Sequence, residues 1–198
     1  MNYLAHAYLS FNQPEILVGN MISDFVKGKK KFDYPTLVQK GMILHRAIDT
    51  FTDEHAATKK AKEIFRPEYR LYSGAFVDVV FDHFLAASEK EFTDASLFYF
   101  TQTTYQSLSP FVNIFPERFQ KMFPYMQSQN WLYNYRFRPG IERSFGGVVR
   151  RAAYLSESEK AFVLFEKNYD ELQQRFDEFF PALKVYAFEQ FNSLLAEN

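Results

Sequence analysis

The chain has 198 residues, 47% of them hydrophobic and 24% charged, with a formal net charge of −1. That balance excludes a disordered chain and a membrane-embedded one, and no apolar run approaches the roughly 20 residues needed to span a bilayer. With no cysteine there is no disulfide framework, thiolate nucleophile or Cys-ligated metal.

The length suits one domain, residues 1–198, with no linker to divide it. Phe and Tyr number 24 and 13, so aromatic side chains are expected to build much of the core. Met1 to His6 shows no basic segment followed by an apolar one, so no secretion signal is read and a cytoplasmic protein is expected.

Residues 2–11 read as a short helix with Asn2 and His6 four apart on one face. Asn12-Gln13-Pro14 breaks it, and Pro14 suits the first turn of a second helix reaching about Lys27, with Asn20 and Asp24 as another pair. A basic loop, Lys29 to Tyr34, leads to a central helix opened by Pro35. On it Leu37, Leu44, Ile48 and Phe51 form an inward stripe. His45, Asp49 and Asp53 recur every four residues on a neighbouring face. Such a row can supply metal ligands, or a base with its orienting partner; it also reads as a solvated His–Asp face. Asp53 is in addition an N-cap candidate for a helix Glu54 to Phe65.

Glu68 to Ser88 reads as one long helix whose apolar residues surround Asp78, Asp82 and His83. A buried carboxylate is costly unless a cation or several donors replace its water, and a divalent metal would compensate for both acids. Thr93 with Asp94 caps a helix to about Leu108, and Pro116 starts another over Glu117 to Gln127. Gly140 to Ala153 reads as helical despite Gly146-Gly147, which permit close backbone approach. A capping pattern at Ser156 to Glu159 opens a helix expected to end near Pro181, before a last one over Ala182 to Leu195. No period-two run appears, so the class is all-α.

Four polar pairs at helical spacing, Asn2/His6, Asn20/Asp24, His45/Asp49 and Asp78/Asp82, point to an interior site between helices. Mixed histidine and carboxylate ligands suit Mn²⁺, Fe or Zn²⁺, and an oxygen-rich set favours Mn²⁺ or Mg²⁺. His-Glu-x-x-His, Walker, Gly-x-Gly-x-x-Gly and Gly-x-Ser-x-Gly motifs are absent. Basic groups, Lys27 to Arg70 and Arg136 to Arg151, point to an anionic partner: a phosphate-bearing substrate, nucleic acid or an acidic protein.

Four segments in this order, Asn2-Tyr-Leu-Ala-His6, Gly19-Asn20-Met-Ile-Ser-Asp24, Gly41-Met-Ile-Leu-His45-Arg46-Ala-Ile-Asp49 and Asp78-Val-Val-Phe-Asp82-His83, resemble the acyl carrier protein phosphodiesterases. The likeness runs on through Asn130-Trp131-Leu to Arg150-Arg151. That family is similar in architecture to the all-helical His-Asp ("HD") metal-dependent phosphohydrolases, although Asp82-His83 stands here in reversed order. The resemblance implies removal of the 4′-phosphopantetheine arm from a serine of holo acyl carrier protein, with Mn²⁺ as metal, or Mg²⁺ or another divalent ion. It implies His6, Asp24, His45, Asp82 and His83 as ligands, Asp24 foremost. Asp49 would orient His45 or act as base, Arg46 would contact phosphate, and Asn20, Arg150 and Arg151 would meet the substrate. The expected partner is an acidic carrier protein, with neither nucleic acid nor a membrane. Two other readings are a phosphohydrolase acting on a small nucleotide or other phosphodiester, and a non-catalytic helical module that binds carrier protein.

Overall fold

A computed structural model describes residues 1–196. Its helices are α1 Tyr3–Tyr8, α2 Pro14–Ile22, α3 Thr36–Glu54, α4 Ala56–Tyr69, α5 Ser73–Ala87, α6 Asp94–Leu108, α7 Glu117–Ser128, α8 Trp131–Asn134, α9 Arg138–Arg151, α10 Glu159–Lys167 and α11 Tyr169–Ala196. Short 3-10 turns link several of them, and no strand occurs among the described residues. The all-α class is as expected. No helix among them is long and apolar enough to cross a membrane.

Helix α5 runs through the middle, packed by α1, α4, α9 and α11, and is buried on nearly every side. The largest fully buried side chains are Tyr105 and a run of phenylalanines, ahead of any leucine. Phe65, Phe76, Phe145 and Phe165, from four different helices, meet ring against ring. The aromatic excess is therefore spent on the core.

Two glycines set the closest helix crossing. A Cβ on Gly19 of α2 would stand 1.9 Å from the Val38 carbonyl, and one on Gly41 of α3 would stand 2.2 Å from the Ile16 carbonyl. No side chain fits between these backbones. The crossing lays Asn20 against α3, one turn from His45.

Several boundaries differ from expectation. Asp53 stays inside α3, exposed and paired with Lys62 at 2.7 Å, while the N-cap of α4 is His55, whose Nδ1 accepts from the Ala57 N–H at 3.2 Å. The long helix expected from Glu68 divides at Arg70, which adopts a φ of 45°; Tyr69, before the break, is buried with its hydroxyl accepting from the Ala161 N–H. Near the C-terminus the break falls at Asn168, whose side-chain amide donates to the Leu164 carbonyl. Pro181 lies inside α11 instead of ending it. Phe176, Phe179, Phe180, Leu183 and Ala187 are buried on both sides of that proline, so tertiary packing outweighs its missing N–H.

Candidate metal centre

His6 comes from α1, and His45 and Asp49 from successive turns of α3. Their ligand atoms lie within 4.8 Å of one another. Asp49 Oδ2 is 3.0 Å from His45 Nε2, and Asp49 Oδ1 is 3.3 Å from His6 Nε2. Asp24, in the 3-10 turn that follows α2, brings Oδ1 to 3.1 Å from the same His45 nitrogen. The two imidazoles stack, with ring centres 4.0 Å apart. Both are buried, whereas the side chains of Asp24 and Asp49 are 74% and 40% exposed. The histidines thus form the floor and the carboxylates the mouth.

Asn20 organises the floor. Its Nδ2 donates to the His6 carbonyl at 2.9 Å and to Ser10 Oγ at 3.1 Å, which turns Oδ1 toward His6 Nδ1 at 2.7 Å. Its backbone carbonyl takes His45 Nδ1, also at 2.7 Å. A neutral imidazole carries one N–H. In the neutral form both rings therefore spend it on Asn20 and keep a lone pair on Nε2, facing Asp49. His6 Nε2 is buried with no hydrogen bond of its own. A buried nitrogen lone pair beside a second one and a carboxylate fits a divalent cation.

The charge states fit the same arrangement. Burial and the neighbouring His45 charge push His6 down to about 4. Burial also opposes a charge on His45, yet its hydrogen bonds to Asp24 and Asp49 prevail and raise it to about 9. Burial disfavours the Asp49 carboxylate, but the hydrogen bond from His45 holds it well below the usual range. Without metal, a proton on His45 occupies the place a cation would take.

A free histidine titrates near 6.5. Raised to about 9, His45 contributes stability that is complete below about 6.5 and lost as pH rises through about 9. Lowered to about 4, His6 contributes stability that is complete above about 6.5 and lost as pH falls toward about 4. The pair's combined contribution in metal-free protein is therefore expected to peak near pH 6.5. Imidazole proton shifts followed by NMR check this, and two rings both titrating near 6.5 would contradict it.

The other expected site residues lie elsewhere or serve otherwise. Asp82 is fully buried and accepts from three backbone N–H groups at the start of α1: Asn2 at 3.2 Å, Leu4 at 2.7 Å and Ala5 at 3.3 Å. The side chain of Asn2 does not cap that helix, so Asp82 does so from α5 and thereby fixes the helix that carries His6. Burial nevertheless pushes Asp82 up to about 7. His83 bonds to the Tyr135 carbonyl at 2.8 Å and the Tyr169 hydroxyl at 3.0 Å, tying α5 to α8 and α11. Neither joins the cluster, and the compensation expected from a metal comes from helix ends and hydroxyls. Asp78 likewise has a cation already, the Met1 ammonium at 3.0 Å, which also lies 3.6 Å from Asp49. Asn20 is fully buried with its amide spent, so it cannot meet a substrate as expected. Arg46 is exposed, about 100° around the helix from His45. Arg150 and Arg151 are exposed at the end of α9, beside a cavity that Tyr3 and Trp131 also line. The role of Asn20 was missed because it joins segments 14 and 25 residues apart; the signal for it was Gly19, which marks the close crossing.

Fold and site together define an all-helical protein whose two buried histidines and partly exposed aspartates form a cluster able to hold a divalent ion. The sequence matches the family model "Acyl carrier protein phosphodiesterase" over residues 1–183. Proteins of that name from Enterobacter sp. (strain 638) and Yersinia pestis are 34% and 32% identical to it. The matches cover 94% and 92% of this chain and 97% and 95% of those proteins. The relative of the same name from Klebsiella pneumoniae (strain 342) is 33% identical over 92% of this chain. No solved structure matches. The chain belongs to the acyl carrier protein phosphodiesterase family.

Proposed function

We propose that the chain hydrolyses the phosphodiester joining 4′-phosphopantetheine to a serine of holo acyl carrier protein, releasing the arm and apo protein. The observation that carries this is the pair of Nε2 lone pairs held toward Asp49 by one asparagine, in a chain of this family. His6, His45 and Asp49 hold a divalent metal, Mn²⁺ first and Mg²⁺ second, and the exposed Asp24 completes the set from the mouth. Asp49 is a direct ligand and not an orienting partner, because it faces the ring nitrogens that Asn20 leaves free. Asn20 supplies the orientation, a role whose loss typically costs about 10 to 100-fold in metal affinity or activity. When bound, the ion supplies charge neutralisation for the phosphoryl oxygens and lowers the pKa of a water molecule. An acidic carrier protein would rest on the basic end of α9, where Arg143, Arg150 and Arg151 have no acidic partner among the described residues. The kinship with the wider His-Asp phosphohydrolases rests on this cluster alone.

Incubating the protein with Mn²⁺ and holo carrier protein, then weighing the carrier, tests the reading. The expected product is the carrier lighter by the whole phosphopantetheine arm. A carrier left intact while a small nucleotide diester is cleaved would favour the broader phosphohydrolase, and a stable complex with no mass change would favour a binding module.

A further inference from the structure

A cavity of about 540 Å³ lies between the start of α1, the short α8 and α9, within the roughly 300–1,000 Å³ of small-molecule sites. None of His6, His45 or Asp49 lines it. The cluster and the cavity are neighbours all the same. Tyr3 lines the cavity and stands three residues before His6 on α1, about 4.5 Å of helix rise. Its phenol, pushed up to about 12 chiefly by burial, feels the charges of both Arg151 and Asp24. Tyr3 therefore joins the cavity to the helix that carries His6.

The walls are mixed. Trp131 and Tyr135 give aromatic surface, Asn134 and Gln129 give amides, and Arg143, Arg150 and Arg151 give guanidinium groups with no acidic partner among the described residues. The indole N–H of Trp131 donates to Gln129 Oε1 at 2.9 Å, which holds the ring in place. Part of the volume exists because α9 carries glycine. A Cβ on Gly147 would meet only the Arg151 and Arg150 guanidinium atoms, at 3.5 and 3.7 Å, so a larger side chain there would grow into the space.

We propose that this cavity seats the pantetheine arm of the substrate, a reading that rests on the proposed function. Whatever is esterified to the phosphorus opposite the serine must lie beside the metal centre, and Tyr3, which lines this space, is one helix turn from His6. An arm with two amides and an apolar backbone matches amide and aromatic walls. The rim arginines remain for the anionic protein that carries the arm.

Trp131 is the only tryptophan, so its emission reports on the cavity directly. The full chain, without added metal to prevent turnover, is titrated with pantetheine, with 4′-phosphopantetheine and with AMP as a nucleotide control. Saturable change is expected with pantetheine and with 4′-phosphopantetheine, and weak or absent change with AMP. Gly147→Leu should weaken pantetheine binding about tenfold or more and raise KM for holo carrier with little change in kcat, since filling the seat removes contacts shared by ground and transition states. If that variant melts early, Ser144→Phe fills the same space from one turn away on the same face. Emission indifferent to pantetheine, or filling variants with unchanged KM, would overturn the proposal. So would tighter binding of AMP than of 4′-phosphopantetheine. An emission that ignores pantetheine while holo carrier is still converted would overturn the cavity assignment and leave the proposed function standing. A response to pantetheine without conversion would keep the cavity and remove the function.

Discussion

Asp49→Asn is expected to lower kcat/KM by more than about a thousandfold, or ~4 kcal/mol of transition-state stabilisation, and excess Mn²⁺ should not restore it. The reason is positional. Each neutral imidazole has its N–H fixed by Asn20, so the only nitrogens left for Asp49 are the two that would face the proposed metal. An orienting aspartate would cost only about 10 to 100-fold when neutralised. Asn20→Ala should fall in that smaller range, and partial rescue by added metal should accompany it. Steady-state kinetics on holo carrier protein separate the two roles: equal losses at positions 20 and 49 would mean that Asp49 is not a ligand.

Gly41→Ala should be strongly destabilising although it improves helix propensity. Alanine in place of glycine within a helix ordinarily gains about 1 kcal/mol. Here the new Cβ would stand 2.2 Å from the Ile16 carbonyl and 2.9 Å from the Gly19 Cα, both backbone atoms that cannot rotate away. Helix α2 must therefore move off α3 by about 1 Å or more to restore ordinary van der Waals contact. Overpacking of this kind costs about 1–3 kcal/mol, and at this chain length each kcal/mol lowers Tm by about 2–4 °C. The shift also draws the Asn20 carbonyl away from His45 Nδ1, so metal affinity should fall with stability although Gly41 touches no ligand. Thermal unfolding with and without Mn²⁺ measures both effects. A Tm at or above that of the unchanged chain would show that the crossing is looser than described.

Much of the fold was legible where a local rule acts alone. The Thr93 cap, Pro14 at a first helical turn and Pro116 just before a helix mark starts that stand as expected. The spacing of His45 and Asp49 put both on one face of α3, which the structure shows. What sequence pattern could not reveal is which distant group answers a buried charge. Asp82 is buried as expected, but the backbone N–H groups of α1 compensate it in place of the expected metal, and a helix end 80 residues away leaves no periodic trace. His83 was likewise answered by Tyr135 and Tyr169, 52 and 86 residues distant. Pro181 stands inside α11 because the packing on both sides of it, which local propensity does not register, decides its conformation. Asn20 sat in the right motif with the wrong task, since its burial depends on two glycines meeting across a crossing.

Equilibrium dialysis against Mn²⁺, with the bound metal counted per chain, tests the metal centre most directly. One ion per chain is expected in the unchanged protein, almost none in His45→Ala, and near-complete occupancy in His83→Gln, whose ring serves Tyr135 and Tyr169 instead. An unchanged protein that binds no ion, or a His45→Ala variant that binds it as well as the unchanged chain, would contradict the assignment of His6, His45 and Asp49 as the site.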